Sequence, residues 1–575
     1  MYREKYEFWL NSCYVDDKEK LELKSIKDEK EIEDRFYRDL EFGTGGLRGV
    51  IGLGTNRMNI HTVEKTTEGL ARYLTERYKN NISVAIAYDC RIMSEEFARV
   101  AACNLCANGI TVNLFGTLHP TPMLSYAVRE LKCKSGIVIT ASHNPKSYNG
   151  YKVYGEDGGQ VTDAVANKIL YHIKNVYDFS QINHMDIEEA KNKNLLRIIG
   201  EEIDKSYIEK VKRMVIRKEL VASHGKDLNI VFTPLHGTGN IPVRRTLKEL
   251  GYENVFIVKE QEYPDGNFPT AECPNPEDPK VFQLALNLAK EVNSDIIFGT
   301  DPDCDRIGII VKDGEGKYMA LTGNQVGVLL TEYILLSLKE LNKIPEDGVI
   351  IKTIVTTEMV KDIAKEYNVE LINVLTGFKY IGEKIKEFEE LQSKKYIFGF
   401  EESYGYLAGD FVRDKDAVIA ATLICEMAVY YKMKGISLYE ALTNLYNKYG
   451  FYKEGIVSIE LKGKKGREDI ETILEYLRHS MKRTLGGVEI VKKLDYKLSI
   501  EKDLVNITEN IIELPKSNVL KFVMKDKSWF VVRPSGTEPK IKIYFSVIGN
   551  SFEDSEDKIE RLKQNVMNVI KDANC

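Results

Sequence analysis

Two short segments, far apart in the chain, carry side chains suited to moving a phosphoryl group. Residues 140–145 place Ser142 in a polar loop directly after the apolar run 136–139. Residues 301–306 place three carboxylates at alternate positions directly after the apolar run 296–299. A serine hydroxyl can carry a phosphoryl group, and clustered carboxylates can hold a divalent cation that neutralises its charge. Together the two segments predict phosphoryl transfer through a phosphoserine.

The three carboxylates, Asp301, Asp303 and Asp305, predict a magnesium site because an all-oxygen donor set suits this cation. The same spacing opens an EF-hand calcium loop, but that loop needs glycine at its sixth position and glutamate at its twelfth. Arg306 and Lys312 occupy those places here, which argues against an EF-hand. A solvated acidic turn is the remaining alternative, and burying three carboxylates beside a strand without a cation would be costly.

Ser142 alone could simply cap a turn, because serine is common in such positions. As a nucleophile it would need a base or a charged partner, and His143 and Lys152 are near it in sequence. The Gly-x-Ser-x-Gly pattern of many hydrolases is absent around it, which disfavours a hydrolase triad.

Two further loops have the composition of sugar- and phosphate-binding sites. In residues 399–405, the carboxylates of Glu401 and Glu402 could accept hydrogen bonds from vicinal sugar hydroxyls; the alternative is a surface turn. Residues 533–540 combine a guanidinium, hydroxyls and glycine-exposed amides, which together can cradle a phosphate. The alternative for that segment is an ordinary tight turn.

Composition narrows the class of protein. The chain has 575 residues, room for about four domains of typical size. Its net charge of -6 gives no reason to expect a nucleic-acid or anionic-membrane partner. No signal-like segment begins the chain and no apolar run is long enough to cross a bilayer. The nine scattered cysteines predict free thiols in a reducing compartment, so we expect a cytoplasmic protein.

Short β-branched runs alternate with helical stretches from residue 84 onward, which predicts parallel sheets covered on both faces. We expect strands at 84–88, 110–115 and 137–140, then at 228–232, 254–258 and 295–298, then at 348–353, 369–374 and 396–400. The last part predicts an antiparallel sheet with helices on one face. Its expected strands are 456–461, 519–524, 529–533 and 540–545, and its expected helices are 468–484 and 552–573.

This pattern predicts an α/β protein with three consecutive α/β domains, whose sheets are mixed and mostly parallel, and a C-terminal α+β domain. The expected limits are 1–205, including a helical extension over about the first 40 residues, then 206–320, 321–450 and 451–575. The polar stretch 447–455 is expected to be a linker.

The motifs resemble those of the α-D-phosphohexomutases, the phosphoglucomutase and phosphomannomutase superfamily, and most of all its long bacterial phosphoglucomutase branch. The resemblance runs from about residue 40 to 550 and includes four loops in order, at 140–145, 301–306, 399–405 and 533–537. Segments 42–49, 149–152 and 376–379 match as well. Pro302 and Cys304 replace smaller residues of the family pattern, and Gly45 replaces a serine; none of these removes a candidate ligand.

The resemblance implies four domains around a central cleft and a role for each matching residue. Ser142 would be phosphorylated, and its phosphate would bind Mg²⁺ together with Asp301, Asp303 and Asp305. Lys152, Arg48 and His143 would assist proton transfer and neutralise charge. Substrate would be bound by Arg306, Thr376, Gly377, Phe378, Lys379, Glu401 and Ser403. The non-reacting phosphate would be bound by Arg533, Ser535, Gly536 and Thr537.

The resemblance also implies a reaction, the interconversion of glucose 1-phosphate and glucose 6-phosphate through a 1,6-bisphosphate. Glucose 1,6-bisphosphate would serve as activator, and mannose phosphates are possible further substrates. The alternatives are a phosphopentomutase, a sugar-1,6-bisphosphate synthase, or a catalytically silent sugar-phosphate-binding protein. The intact serine, aspartates and lysine argue against the silent protein.

Overall fold

The computed structural model describes residues 2–43, 45–461, 463–534 and 540–573. Its contacts divide the chain into two compact units. The first unit comprises Met1–Gly323, Phe378–Gly399 and Ser403–Ser437, and the second comprises Asn324–Gly377, Phe400–Glu402 and Leu438–Cys575. Each unit is described by itself below.

Three helices occupy the N-terminal segment that was expected to be helical: α1 (Tyr2–Asn11), α2 (Asp17–Ser25) and α3 (Glu29–Phe36). Asp16 begins α2 with a capping box, and Asp28 caps α3 through its carboxylate. Trp9 and Phe36 pack edge to face, and Trp9 packs in the same way against Phe179, so these helices share a small aromatic core.

A six-stranded sheet follows in the first unit. Its elements are β1 (Gly46–Val50), α4 (Ile60–Arg77), β2 (Ser83–Tyr88), α5 (Ser94–Ala107), β3 (Thr111–Phe115), α6 (Thr121–Glu130), β4 (Ser135–Ile139), β5 (Tyr148–Gly155), α7 (Asp163–Lys174), α8 (Ile187–Asn192) and β6 (Leu196–Ile199). The strand order is β1-β5-β4-β2-β3-β6. The last four strands in this order run parallel, whereas β5 is antiparallel to both β1 and β4.

The second sheet of this unit has five strands in the order β11-β10-β9-β7-β8. The elements are α9 (Glu201–Lys212), α10 (Lys218–His224), β7 (Ile230–Thr233), α11 (Asn240–Glu249), β8 (Val255–Ile257), α12 (Gln283–Glu291), β9 (Ile296–Thr300), β10 (Ile307–Lys312) and β11 (Tyr318–Leu321). Strands β7, β8 and β9 are parallel, and the hairpin β10–β11 adds an antiparallel edge. All five residues of β9 are buried, as expected for a central strand covered on both faces.

The third section alternates strands and helices again. It contains α13 (Gly323–Glu340), β12 (Gly348–Thr353), α14 (Met359–Glu366), β13 (Glu370–Val374), α15 (Phe378–Leu391), β14 (Lys395–Glu401), β15 (Gly405–Ala408), α16 (Ala417–Met433) and α17 (Leu438–Tyr449). In the second unit, β12 and β13 pair in parallel. Helix α16 belongs to the first unit and is buried along most of its length, which its continuous apolar sequence requires.

The C-terminal section is an antiparallel sheet with two long helices. It contains β16 (Phe451–Glu460), α18 (Gly463–His479), β17 (Thr484–Leu485), β18 (Val488–Asp495), β19 (Ile500–Asp503), β20 (Thr508–Ile511), β21 (Leu520–Met524), β22 (Trp529–Pro534), β23 (Lys540–Gly549) and α19 (Phe552–Ala573). The strand order is β16-β23-β22-β21-β18-β19-β20, with β17 paired to β18. Leu474 of α18 and Ile559 of α19 are fully buried in one core with Phe545 of β23.

These elements confirm the predicted fold class of three α/β sections and a C-terminal α+β section; the domain limits stay predictions. The expected linker at 447–455 was wrong, because these residues end α17 and begin β16, which pairs with β23 over its whole length. The helix expected at 468–484 begins and ends earlier, at Gly463–His479. Among the described helices, none combines the length and the apolar character needed to span a bilayer.

Helices α4 and α7 approach so closely at Gly69 that a side chain has no room there. A Cβ atom at Gly69 would lie 2.4 Å from Cγ1 and 2.7 Å from Cα of Ile173. We predict that Gly69→Ala lowers the free energy of unfolding by about 1–3 kcal/mol, even though alanine favours the helix. Urea denaturation measures this. Gly314→Ala, in the open turn between β10 and β11, is the control and should change stability by less than about 0.5 kcal/mol. Wild-type stability of Gly69→Ala would contradict the close packing.

Candidate active site

The serine loop and the acidic loop meet in the first unit. Ser142 follows the end of β4, and Asp301 directly follows the end of β9. The Ser142 hydroxyl donates a hydrogen bond to Oδ2 of Asp301 at 2.6 Å, across 159 positions of sequence. Ligands bind beyond the carboxyl ends of strands in open α/β sheets, and both loops lie there. The two segments with phosphoryl-transfer chemistry therefore form one site.

The backbone of Ser142 is held in an uncommon conformation. Its φ of 51° lies in the left-handed region, which costs a non-glycine residue free energy unless the surroundings enforce it. The hydroxyl of Thr140 accepts a hydrogen bond from the Ser142 amide at 2.8 Å. This bond is one of several that hold the loop in place and direct the hydroxyl toward Asp301.

Arg91, which follows β2, supplies most of the remaining support. Its guanidinium donates hydrogen bonds to the backbone carbonyls of four loop residues, namely Ser142, Asn144, Pro145 and Tyr148. The adjacent Asp89 accepts from the Thr140 hydroxyl at 2.6 Å and from the Ser94 hydroxyl at 2.8 Å. Both Asp89 and Arg91 are buried, so the serine loop rests on an internal charged pair. The sequence reading missed this pair; its only signal was its position at the carboxyl end of a predicted strand.

Asp301, Asp303 and Asp305 form a compact acidic cluster. Each offers one carboxylate oxygen within 4.8 Å of the others, and all three side chains are buried. Burial and the neighbouring charges of Asp303 and Asp305 raise the pKa of Asp301 well above its usual value. Oδ1 of Asp303 and Oδ1 of Asp305 accept no hydrogen bond from any described residue. Buried, oxygen-only and partly unpartnered, the cluster fits a hard divalent cation such as Mg²⁺. Cys304, between two of these aspartates in sequence, is not part of the cluster.

Two lysines offset the negative charge of the cluster, and a threonine donates a hydrogen bond to it. Nζ of Lys152 lies 2.9 Å from Oδ2 of Asp303, and Nζ of Lys415 lies 3.1 Å from Oδ2 of Asp305. The Thr121 hydroxyl donates to Oδ2 of Asp303 at 2.9 Å. Burial opposes ionisation of Asp303, but the Lys152 ammonium outweighs it and holds the pKa of Asp303 far below its usual value. Sequence reading found Lys152 but missed Lys415 and Thr121, which lie in no motif it recognised.

The other predicted residues around Ser142 also lie here. Nδ1 of His143 is 3.2 Å from the Ser142 hydroxyl, and burial together with the charges of Arg306 and Arg48 lowers the pKa of His143 well below its usual value. The lowered pKa favours the neutral form of the imidazole. Arg48, on β1, donates to Oδ1 of Asn144 at 3.2 Å. Arg306 donates to Oε1 of Glu277 at 2.6 Å and to the Ser403 carbonyl at 3.2 Å.

Two predicted substrate residues of the first unit are engaged within the protein. Nζ of Lys379 lies 2.6 Å from Oδ1 of Asp163, and the lysine is mostly buried. Phe378 is buried at the start of α15, with the Lys415 ammonium over its ring at 5.7 Å from the centroid. Phe378 is thus packed against Lys415, the lysine that pairs with Asp305, and does not present an open surface.

The remaining predicted residues belong to the second unit. Oε1 of Glu401 accepts a hydrogen bond from the Gly377 amide at 2.9 Å, so these two predicted residues are brought together. The Thr376 hydroxyl is buried and makes no hydrogen bond to any described residue. Arg533 is the next-to-last residue of β22; burial raises the pKa of Tyr544 on β23, and the charge of Arg533 opposes that rise. Ser535, Gly536 and Thr537 lie outside the described residues.

The acidic cluster generates a prediction about stability and metal binding. Asp301→Asn removes one of three buried like charges, so we expect the variant to exceed wild type in free energy of unfolding in EDTA. Wild type should gain about 3 kcal/mol when free Mg²⁺ is roughly a hundredfold above its dissociation constant, and Asp301→Asn should gain little. Chemical denaturation with and without Mg²⁺ measures both. The exposed Asp347→Asn is the control and should behave as wild type. An equal Mg²⁺ effect in wild type and Asp301→Asn would contradict the assignment.

Comparison with known proteins agrees with this geometry. Four domain families match in order: phosphoglucomutase/phosphomannomutase alpha/beta/alpha domain I at residues 39–178, domain II at 205–314, domain III at 322–449, and the C-terminal domain at 490–569. A phosphoglucomutase of Staphylococcus aureus strain MRSA252 is 39% identical over 539 residues, covering 93% of this chain and 94% of that protein. One from Staphylococcus haemolyticus is 36% identical over 538 residues, covering 94% of each.

Solved structures show the same fold. A phosphoglucomutase/phosphomannomutase family protein of Burkholderia thailandensis superposes with a TM-score of 0.66 at 19% identity, covering 92% of this chain and 97% of that one. The open form of the Paramecium phosphoprotein pp63/parafusin superposes with a TM-score of 0.65 at 17% identity, covering 93% and 95%. Domain order, sequence identity and fold agree, and the chain belongs to the phosphoglucomutase/phosphomannomutase family.

Proposed function

We propose that this protein is a phosphosugar mutase that interconverts glucose 1-phosphate and glucose 6-phosphate through phosphorylated Ser142. The observation that carries the proposal is the hydrogen bond from the Ser142 hydroxyl to Asp301, within a buried cluster of three carboxylates. A merely structural serine would not need such surroundings. Relatives named phosphoglucomutase, at 36% and 39% identity over most of the chain, support glucose phosphates as substrates.

Asp301, Asp303 and Asp305 would hold Mg²⁺ together with the phosphate carried by Ser142. When bound, the cation supplies positive charge that stabilises the oxygens of the phosphoryl group during transfer. The unpartnered carboxylate oxygens of Asp303 and Asp305 support this assignment.

In the first half-reaction, the bond between phosphorus and the Ser142 oxygen breaks as a bond to the free sugar hydroxyl forms. The sugar hydroxyl loses a proton in this step and the departing Ser142 oxygen gains one. His143, whose Nδ1 lies 3.2 Å from the Ser142 oxygen, would deliver that proton to the serine. Lys152 and Arg48 would place positive charge beside the transferring group. The 1,6-bisphosphate would then turn around, and its other phosphoryl group would return to Ser142. Glucose 1,6-bisphosphate would activate the enzyme because it can phosphorylate Ser142 directly.

Further side chains of the matching loops would orient the substrate. Glu401 and Ser403 would accept or donate hydrogen bonds at the sugar hydroxyls, with residues 376–379 and Arg306 beside them. Lys379 could contribute only by exchanging its present partner Asp163 for the ligand. Arg533, with Ser535, Gly536 and Thr537, would hold the phosphate that does not react.

A cytoplasmic location is part of this proposal, as are sugar phosphates as the protein's small-molecule partners. The eight cysteines in the described part of the chain are free thiols, in keeping with a reducing compartment.

The test is ³¹P NMR of the purified protein with Mg²⁺ and a trace of glucose 1,6-bisphosphate. Separate samples would contain glucose 1-phosphate, mannose 1-phosphate or ribose 1-phosphate. We expect rapid conversion of glucose 1-phosphate to glucose 6-phosphate and slower conversion of the mannose ester. Turnover of ribose 1-phosphate alone would identify a phosphopentomutase instead. No turnover, with Ser142 still able to accept phosphate, would favour a bisphosphate synthase.

Ser142→Ala should lower turnover of glucose 1-phosphate by about a thousandfold or more while leaving the fold intact, because it removes the phosphoryl carrier. The same NMR assay measures the rate, and circular dichroism checks the fold. Ser147→Ala, an exposed serine in the same loop, is the matched control and should retain activity. Normal turnover by Ser142→Ala in the presence of bisphosphate would exclude the mechanism.

Arg533→Ala should raise the KM for glucose 1-phosphate by about tenfold to a hundredfold, the cost of losing a charged hydrogen bond to phosphate. Mg²⁺ affinity should change little, because the acidic cluster lies elsewhere in the chain. Steady-state kinetics and calorimetric Mg²⁺ titration measure the two effects. Lys525→Ala, an exposed cation of the same sheet, serves as control. An unchanged KM would contradict the assigned role of Arg533.

A further inference from the structure

The segment 353–358, which follows β12 in the second unit, makes polar contacts in two directions. We call it the bridging segment. One set of contacts joins it to Glu402 in the predicted sugar-binding loop, and the other joins it to Lys521 on β21 of the C-terminal sheet. The same sheet carries Arg533, at the end of β22. The segment therefore contacts both the loop proposed to bind the sugar and the sheet that carries Arg533.

On the sugar side, two threonine hydroxyls hold one carboxylate. Thr353 and Thr356 each donate to Oε2 of Glu402 at 3.2 Å, and their own hydroxyls lie 2.8 Å apart. The preceding residue in the loop, Glu401, accepts a hydrogen bond from the Gly377 amide. Movement of the bridging segment would thus move Glu402 and, with it, the adjacent Glu401, whose carboxylate is proposed to bind the sugar.

On the other side, two buried ammonium groups hold the segment. Nζ of Lys521 donates to the Ile354 carbonyl at 2.9 Å and to Oε1 of Glu358 at 3.2 Å. Nζ of Lys352 donates to the carbonyls of Thr353 and Thr356 and to the same Glu358 oxygen, at 3.2–3.3 Å. Burial opposes ionisation of Glu358, yet the two lysines lower the pKa of Glu358 to about 2.

A buried charge cluster of this kind adds little net stability, because desolvation offsets most of the attraction. What it does supply is a defined geometry, since each ammonium must face its few acceptors. Lys521 is only 8% exposed, and its ammonium also lies 4.4 Å from the ring centroid of Trp529 on β22. The cost of burying this lysine indicates that the position it enforces matters.

Lys521 and Arg533 lie on neighbouring strands of the C-terminal sheet, so the position of one is tied to that of the other. Lys521 pairs with Val531 in the register of β21 and β22, two residues before Arg533. Val531 pairs in turn with Tyr544 on the neighbouring β23. Burial and the charge of Glu402 raise the pKa of Tyr544, while the charge of Arg533 lowers it.

We propose that Lys521 is a positioning residue. By its hydrogen bonds to the bridging segment, it sets the spacing between the sugar-binding loop and Arg533. A ligand engages both groups only if its ring hydroxyls and its phosphate match that spacing. This inference rests on the proposed function, because it takes a sugar phosphate as the ligand. A merely structural role for Lys521 would affect all ligands of the C-terminal sheet alike, whereas positioning affects ligands that must reach both groups.

The test compares two ligands by isothermal titration calorimetry in the Ser142→Ala protein, which cannot turn them over. Glucose 6-phosphate reaches both groups, whereas inorganic phosphate needs only the phosphate loop. In the Lys521→Met variant we expect the dissociation constant of glucose 6-phosphate to rise about tenfold or more and that of inorganic phosphate to change by less than about twofold. Lys525→Met, on the exposed turn between β21 and β22, is the matched control and should change neither.

Unchanged binding of both ligands in Lys521→Met would overturn the proposal, and so would equal weakening of both. If Lys521→Met does not fold, the Thr353→Val/Thr356→Val variant keeps the lysine cluster and removes the two hydroxyls that contact Glu402. The same selective loss of glucose 6-phosphate is then expected, and its absence overturns the proposal. Failure of the Ser142→Ala parent to bind glucose 6-phosphate more tightly than inorganic phosphate would instead refute the proposed function, and this inference with it.

Discussion

The electrostatic cost of burying Asp301, Asp303 and Asp305 at the end of β9 is the constraint on which the first unit depends. Three carboxylates within 4.8 Å of each other, away from water, are stable only if positive charge and hydrogen-bond donors surround them. Lys152 and Lys415 supply the charge. The arrangement remains incomplete, because two carboxylate oxygens accept no hydrogen bond from the described residues. The cluster fits a divalent cation, and we propose that the phosphate carried by Ser142 would bind the same cation.

Hydrogen bonds to the backbone hold the loops of this site in fixed positions. A single buried guanidinium, that of Arg91, donates to four carbonyls of the loop that holds Ser142 in its left-handed conformation. The second unit contains a similar contact, because the Lys521 ammonium donates a hydrogen bond to the backbone carbonyl of Ile354 in the bridging segment. In both cases a buried cation donates hydrogen bonds to backbone carbonyls: in the first unit those of the loop that carries Ser142, and in the second that of a segment that contacts Glu402. Such preorganisation is a large part of what a protein contributes to phosphoryl transfer.

The alternation of apolar runs with helical stretches was enough to predict the fold class and the loops that follow the strands. Continuous apolar strands such as β9 are visible in sequence because burial on both faces excludes polar residues. Edge strands and short hairpins such as β19–β20 were not predicted, because they are half-exposed and their composition is mixed. Motif chemistry found Ser142 and the three aspartates. It could not find Lys415 or Thr121, because their role comes only from tertiary distances to carboxylates more than a hundred positions away.

The central claim is that Ser142 carries the phosphoryl group between sugar positions. The most direct measurement is peptide mass spectrometry of the protein after incubation with glucose 1,6-bisphosphate and Mg²⁺, before and after a chase with excess glucose 1-phosphate. The account predicts one phosphoryl group on the peptide containing Ser142, and its loss during the chase as glucose 1,6-bisphosphate forms. Absence of phosphate on Ser142, or a chaseable phosphate on a different residue, would contradict it.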